Sequence, residues 1–422
     1  MTTTGRTRQD AVYRAGVSGQ RPRVPVDALA LERRARRAMS RTAYAYVAGG
    51  AGAEATMRAN RAGFARWQTT PRMLRDVGDR DVSVELFGRR HPTPLLLAPI
   101  GALDLVRRGA EPAVARAAAS HGVATVISNQ AGTPMEEIAA AVPDGPPPWF
   151  QLYWSTSDDL VDSFLARAEA SGCEAVVVTL DTTMLGWRPR DLDLGSLPFA
   201  RGLGIAQYTS DPVFRRLAAA RAAAPSGGPG PRITPAAVRT FLEISRHHPG
   251  RFVDNLRSPL PRAAVETFLD VYSRPTLGWD DVATLRGRTR LPIVLKGVLH
   301  PDDAVRALDA GVDAVMVSNH GGRQVDGAVA ALDALPGVVD AVAGRLPVLF
   351  DSGVRTGADA ASALALGARA VGLGRPWVYG LAAGGEAGVA QVVGDVLAEL
   401  DLTLGLAGAR TVADLEIGNR PR

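Results

Sequence analysis

The stretch Asp313-Ala314-Val315-Met316-Val317-Ser318-Asn319-His320-Gly321-Gly322-Arg323-Gln324 joins a short apolar β-type run to a polar tip and a turn built on two glycines. The same pattern recurs along the chain. From about residue 93 onward, short β-type runs alternate with longer Ala/Leu-rich segments of helical period, the signature of repeated βα units around a parallel sheet. Eight runs are legible: Pro94–Ile100, Ala124–Ser128, Trp149–Tyr153, Ala175–Asp181, Pro292–Gly297, Ala314–His320, Pro347–Gly353 and Ala370–Arg375. Helical segments such as Glu111–Ser120, Asp302–Ala310 and Gly357–Leu366 lie between them. Eight such units close most economically as a (β/α)8 TIM barrel of the α/β class, with an open doubly wound sheet as the alternative.

The flanks of this pattern set the organisation. Residues 1–90 read as an N-terminal arm, polar and Arg-rich at its start, with helical segments from Val26 onward that pack on the barrel; residues 91–422 form the barrel itself. The alternation breaks between Arg188 and Leu277, so residues 189–276 are expected to be an insert after the fourth strand. That segment contains Ser226-Gly227-Gly228-Pro229-Gly230-Pro231 and several short helical pieces. An excursion of this length inside a barrel is usually functional, and we expect a lid over the active face.

Composition narrows the class of partner. A chain of 422 residues can bury a substantial core, and its formal charge of +5, with both signs interspersed, is no nucleic-acid footprint. Small anionic ligands fit it better. No secretory signal is visible and no uncharged apolar stretch approaches the roughly 18 residues of a membrane span, so the expectation is a cytoplasmic protein without membrane or nucleic-acid partners. The one cysteine, Cys173, excludes an internal disulfide and offers no metal cluster; before the apolar Ala175–Val178 it reads as a small buried residue. Every basic residue is arginine except Lys296, which closes a β-type run where a compact ammonium is wanted.

Active sites in such barrels gather where strands end. The run ends are Gln151-Leu152-Tyr153, Thr179-Leu180-Asp181, Lys296, His320, Asp351-Ser352-Gly353 and Gly374-Arg375. His320 and Arg323, three positions apart, suit a 2-hydroxy acid: the guanidinium can fork onto the carboxylate while an imidazole titrating near neutrality reaches the proton at the adjacent carbon. Polar loop residues would explain the same motif taken alone. After runs seven and eight, Arg355 and Arg375 with the small residues Gly353, Gly372 and Gly374 suit a bound phosphate. No nicotinamide-type glycine fingerprint follows a first strand, which favours FMN as the phosphorylated cofactor.

From about Tyr44 to Leu415 the chain resembles the FMN-dependent 2-hydroxy acid oxidase and dehydrogenase family. The resemblance is carried by Tyr46-Val47-Ala48-Gly49-Gly50, Phe150-Gln151-Leu152-Tyr153, Leu295-Lys296-Gly297, Ser318–Gln324, Asp351–Gly357 and Gly374-Arg375-Pro376. Gly186-Trp187-Arg188-Pro189-Arg190-Asp191-Leu192, Leu197-Pro198-Phe199 and the insert are most similar to its lactate 2-monooxygenase branch. This resemblance implies His320 as base, Asp181 as its orienting partner, and Arg323 and Arg188 as the carboxylate grip. It further implies Tyr46 and Tyr153 as hydrogen-bond partners of the substrate, and Lys296 beside the pyrimidine edge of the flavin. Ile100, Gly101, Ser128, Gln151 and Thr179 would meet the isoalloxazine ring, and Ser318, Asp351, Gly353, Arg355, Gly374 and Arg375 would complete the FMN site. Gln130 stands where plant-type members have tryptophan, on the substrate wall, and Gly101 where many oxidases have alanine. The implied reaction oxidises an L-2-hydroxy acid with O2. Lactate would give acetate, or, if the product escapes first, a 2-keto acid and hydrogen peroxide. A tailoring enzyme for a larger hydroxy acid is the remaining alternative. The resemblance also implies a homo-oligomer, a tetramer or an octamer.

Overall fold

The computed structural model describes residues 5–224 and 233–419. Its centre is a closed barrel of eight parallel strands: β1 (Leu95–Leu97), β2 (Ala124–Ile127), β3 (Trp149–Leu152), β4 (Val176–Thr179), β5 (Ile293–Val298), β6 (Ala314–Val317), β7 (Val348–Phe350) and β8 (Ala370–Leu373). Each strand pairs with the next, and β8 closes on β1 through Gly372↔Leu96. Nearly every strand residue is buried because a parallel barrel covers both faces, which is why the runs read as continuous apolar stretches. One set of side chains fills the interior, among them Leu96, Val126, Trp149, Val177, Val294, Met316 and Leu349, while the alternate set packs on the surrounding helices. A hairpin of Val84–Leu86 and Arg89–His91 places buried Leu86 in that interior cluster, with Phe87 against Trp149 at 5.5 Å between ring centres. It plugs the barrel at the ends where the strands begin.

All eight expected runs are strands, but the ladders stop sooner than the runs do except in β5, which continues to Val298. Ser128, Tyr153, Asp181, His320, Asp351–Gly353 and Arg375 lie beyond the last paired residue. His320 and Ser352 have φ of 55° and 88°, a left-handed backbone that no strand continues. Arg375 opens a helix instead of closing a strand. Within β5 the register shifts between Lys296 and Val298. Gly297 makes this bulge possible: its φ is 109°, and a Cβ there would sit 3.0 Å from that of Asp181.

The N-terminal arm is more regular than its composition suggests. A helix spans Gly5–Val17, earlier than the expected start near Val26, because tertiary contacts fix it. Gly5 N donates to Asp401 at 2.8 Å and Arg8 pairs with Asp395 at 2.8 Å, both on the long helix Arg375–Ala407. Helices Ala28–Ala38, Arg41–Ala48 and Ala55–Arg66 follow, the first two N-capped by Asp27 and Ser40. After β4 come Pro189–Leu192, Ala206–Thr209, Pro212–Ala223, Pro235–His247, Phe252–Arg257 and Leu260–Val271. Fully buried Tyr208, Phe214 and Phe268 give this excursion its own aromatic core. It is tied to the barrel by Tyr208 Oη donating to Asn129 at 2.9 Å and Ser155 Oγ donating to Val271 O at 2.7 Å. The glycine-proline stretch 226–231 lies outside the described residues. Among the described residues no helix is long and apolar enough to cross a membrane.

Candidate active site

Polar side chains form a floor where the strands end. Ser128 donates to Gln151 at 3.1 Å, and Gln151 donates to Thr179 at 3.0 Å. On the facing strands Lys296 donates to Ser318 at 2.9 Å and pairs with Asp351 at 3.2 Å, its side chain only 4% exposed. Burial lowers the pKa of that ammonium, but the charges of Asp351 and Asp181 outweigh it and the net direction is upward. A fully charged cation therefore stands in the floor.

Beside it, His320 Nδ1 lies 2.8 Å from Asp181 Oδ1 and 3.3 Å from Thr182 Oγ1. A carboxylate can only accept, so Nδ1 carries the proton and Nε2 presents its lone pair to the cavity. Burial would raise Asp181, yet His320, Lys296 and the hydrogen bonds from His320 and Thr182 together hold it down at about 2. Burial pushes His320 below its ordinary 6.5 against the opposing pull of Asp181. At neutral pH the pair is a neutral imidazole oriented by a carboxylate.

Two guanidiniums face the same space. Arg323 donates to the carbonyls of Tyr46 and Gly49, and its carbon sits 5.0 Å above the Tyr46 ring. Arg188, 7% exposed, donates from Nε to Arg323 O at 3.2 Å and from a terminal nitrogen to Gln324 at 2.7 Å. Neither has a carboxylate within ion-pair distance among the described residues. Burial and the neighbouring charge of Arg188 bring Arg323 down to about 9. A buried and a half-buried guanidinium that feel Asp191 only from beyond ion-pair distance are an electrostatic demand for an anion. Tyr46 and Tyr153 border it, and burial raises both phenols, leaving them protonated as donors.

A second such demand lies at the other end of the cleft. Arg355 is brought down to about 10 by burial and then by Arg375, and burial lowers Arg375 as well. Arg375 spends its hydrogen bonds on the carbonyls of Val47, Gly321 and Gly49, at 3.0, 3.0 and 2.9 Å. It thus supplies charge to the cleft while its fork is committed to backbone. Gly374 would carry a Cβ into open space, so backbone is bare there. Paired cations, bare backbone and a floor ammonium fit a group with a phosphate at one end and a reducible ring at the other.

All of this borders one cleft of about 950 Å³, counted to its open mouth. Of the expected residues it is lined by Tyr46, Ile100, Gly101, Gln130, Tyr153, Arg188, Lys296, His320, Arg323, Asp351, Gly353, Arg355, Gly374 and Arg375. Ser128, Gln151, Thr179, Ser318 and Asp181 stand one layer behind, bonded to the lining residues or to one another. Gly101 proves to be a packing requirement: a Cβ there would lie 2.8 Å from Gln130 Cβ and 2.9 Å from its carbonyl oxygen. Residues not anticipated are Thr182, Leu185, Tyr272 and Gln324. Thr182 had a signal in its adjacency to Asp181, Leu185 in its adjacency to the Gly186–Leu192 stretch, and Gln324 in closing the His320 motif. Phe199 and Tyr272 arrive from the insert, whose path no local pattern reports.

An α/β barrel whose strand ends join a carboxylate-backed base, an unpaired guanidinium couple and a cationic phosphate seat defines a flavin-dependent oxidoreductase of carboxylate-bearing alcohols. The chain belongs to the FMN-dependent dehydrogenase family, which it matches over residues 35–419. It is 42% identical to the FMN-dependent alpha-hydroxy acid dehydrogenase qulF of Penicillium citrinum, over 96% of this chain and 93% of that one. It is 40% identical to an L-lactate oxidase of Lysinibacillus sphaericus, covering 88% and 86%, and 37% identical to a 4-hydroxymandelate oxidase of Amycolatopsis orientalis, covering 90% and 94%. Among solved structures, mandelate oxidase with (S)-4-hydroxymandelic acid superposes with a TM-score of 0.77 at 36% identity, over 94% of this chain and 99% of that one. The protein is an FMN-dependent 2-hydroxy acid oxidoreductase.

Proposed function

We propose that this enzyme oxidises L-lactate with O2 and retains the keto acid long enough to release acetate, carbon dioxide and water. FMN, when bound, supplies the two-electron acceptor and the site of reaction with oxygen. Arg323 and Arg188 take the substrate carboxylate, and Tyr46 and Tyr153 hydrogen-bond the carboxylate or the hydroxyl. Nε2 of His320 removes the substrate proton, and Asp181 stabilises the imidazolium that results. Lys296 offsets negative charge arising at the end of the ring nearest it. Ser128, Gln151, Thr179 and Ser318 hold the floor, and Gly353, Arg355, Gly374 and Arg375 seat the phosphate.

The observation that carries the reading is the oriented, neutral His320 facing two guanidiniums that make no ion pair among the described residues. The monooxygenase outcome is supported by the 189–276 segment, which supplies Phe199 and Tyr272 to the cleft wall and would act as its lid. A second reading, an oxidase releasing a 2-keto acid and hydrogen peroxide or acting on a larger hydroxy acid, is favoured by the aromatic wall and by Gln130, a buried polar residue that lines the cleft. Product analysis with L-lactate in air separates them: acetate supports the first, pyruvate plus peroxide the second. His320→Ala should keep FMN bound while anaerobic reduction by substrate collapses; reduction at the wild-type rate removes His320 from the base role. We place the enzyme in the cytoplasm as a tetramer or octamer, the latter checked by sedimentation of the holoenzyme.

A further inference from the structure

We infer that Gln324 is a positioning residue that couples the carboxylate clamp to the base, its amide binding the Arg188 loop to the loop of His320 and Arg323. This rests on the clamp and base roles proposed above. The amide is used to capacity. Its nitrogen donates to Asp181 O at 2.7 Å and Met184 O at 2.9 Å; its oxygen accepts from Arg188 at 2.7 Å and from Gly186 N at 3.3 Å. One side chain thus touches the residue that orients the imidazole and the residue that grips the acid.

Little else holds the loop between them. Met184 and Trp187 are 67% and 73% exposed, so residues 183–187 have almost no apolar burial to fix their course. What replaces it is backbone seated on backbone. A Cβ on Gly186 would come within 2.5 Å of Arg323 O and 2.8 Å of Gln324 Cα, and Gly52 N donates to Trp187 O at 2.9 Å. A carboxylate that draws on Arg188 therefore loads the same amide that fixes the Asp181 carbonyl. Positioning errors of about 1 Å far from the bond being broken already cost orders of magnitude in rate.

The test uses FMN-loaded wild type, Gln324→Met and Gln324→Glu. Oxalate is titrated by its perturbation of flavin absorbance, and anaerobic flavin reduction by L-lactate is followed by stopped flow. Gln324→Met should weaken oxalate about tenfold and slow limiting reduction about tenfold while FMN stays bound, as expected for loss of hydrogen bonds to a charged partner and to two backbone carbonyls. Gln324→Glu keeps the acceptor for Arg188 but loses both donors, so it should slow limiting reduction at least as much as Gln324→Met, and its added negative charge should raise His320 and move the acid limb to higher pH than in wild type. Oxalate affinity and reduction both within twofold of wild type in Gln324→Met overturn the inference. So does release of FMN in proportion to the loss, or a Gln324→Glu profile parallel to wild type. If Gln324→Met does not fold, the pH profile of Gln324→Glu decides. Should wild type be reduced by no 2-hydroxy acid, the proposed reaction fails, while oxalate affinity still judges Gln324.

Discussion

Replacing Asp181 by Asn removes one charge from a contact of 2.8 Å without changing its shape. The structure sets the scale of the effect. Asp181 falls from 3.8 to about 2 because His320, Lys296 and Thr182 together favour its charge, and a hydrogen bond to a charged partner is worth about 2 kcal/mol. If the Asn oxygen still faces Nδ1, losing that stabilisation of the imidazolium should slow proton removal ~30-fold. If its amino group faces Nδ1, the proton moves to Nε2 and the base is lost, a fall of ~10²–10⁴-fold. The pH profile carries a second sign. In wild type His320 lies below 6.5, so the limiting rate of anaerobic flavin reduction should hold as the pH passes down through 6.5 and fall only beneath it. Asp181 pulls His320 upward; without it the acid limb should move to still lower pH while the plateau drops. Stopped-flow bleaching of the flavin across that range measures both. A plateau within threefold of wild type, or a limb displaced upward, refutes the assignment of Asp181 as the orienting carboxylate.

Other substitutions test separate parts of the site. Arg323→Lys exchanges a fork for a point charge and should raise the oxalate dissociation constant about tenfold with FMN retention unchanged. Lys296→Met leaves Asp351 buried without its cation at 3.2 Å and should destabilise the holoenzyme by about 3–5 kcal/mol, read by denaturant unfolding. Gly101→Ala drives a methyl into the Gln130 carbonyl and should lower the melting temperature and alter the flavin spectrum together; an unperturbed protein would show that this loop yields easily. Asp181 and His320 are both depressed, so each adds stability above its unfolded pKa, and acid unfolding should come in two windows. The first opens below 6.5 as His320 must take up a proton, and the second lies between 3.8 and about 2 as Asp181 does. A chemical-denaturation stability flat from pH 7 to 3 would contradict both shifts.

Runs of five to seven residues spaced by helical segments pointed to a parallel sheet buried on both faces, and their number favoured a closed barrel over an open doubly wound sheet, so the barrel was legible without coordinates. The strand-end residues that line the cleft, Tyr153, Lys296, His320, Asp351 and Arg375, were legible for the same reason, whereas Tyr46 and Arg188 were expected only from the resemblance. Three things were decided in three dimensions. The ladders end early because His320 and Ser352 adopt a left-handed backbone that aims their side chains, a conformation that neighbour contacts impose and composition does not announce. Arg375 was legible as a cation near the phosphate end, but its fork is consumed by carbonyls of residues 47, 49 and 321, partners up to 328 positions away. Gln324 looked like the tail of a motif and turns out to bind two loops through four hydrogen bonds, since the carbonyls it meets are brought to it only when β4 and β6 take their places in the closed ring. Local pattern fixes which side chains reach the rim; only the packing of distant backbone fixes which way each of them points and with what charge.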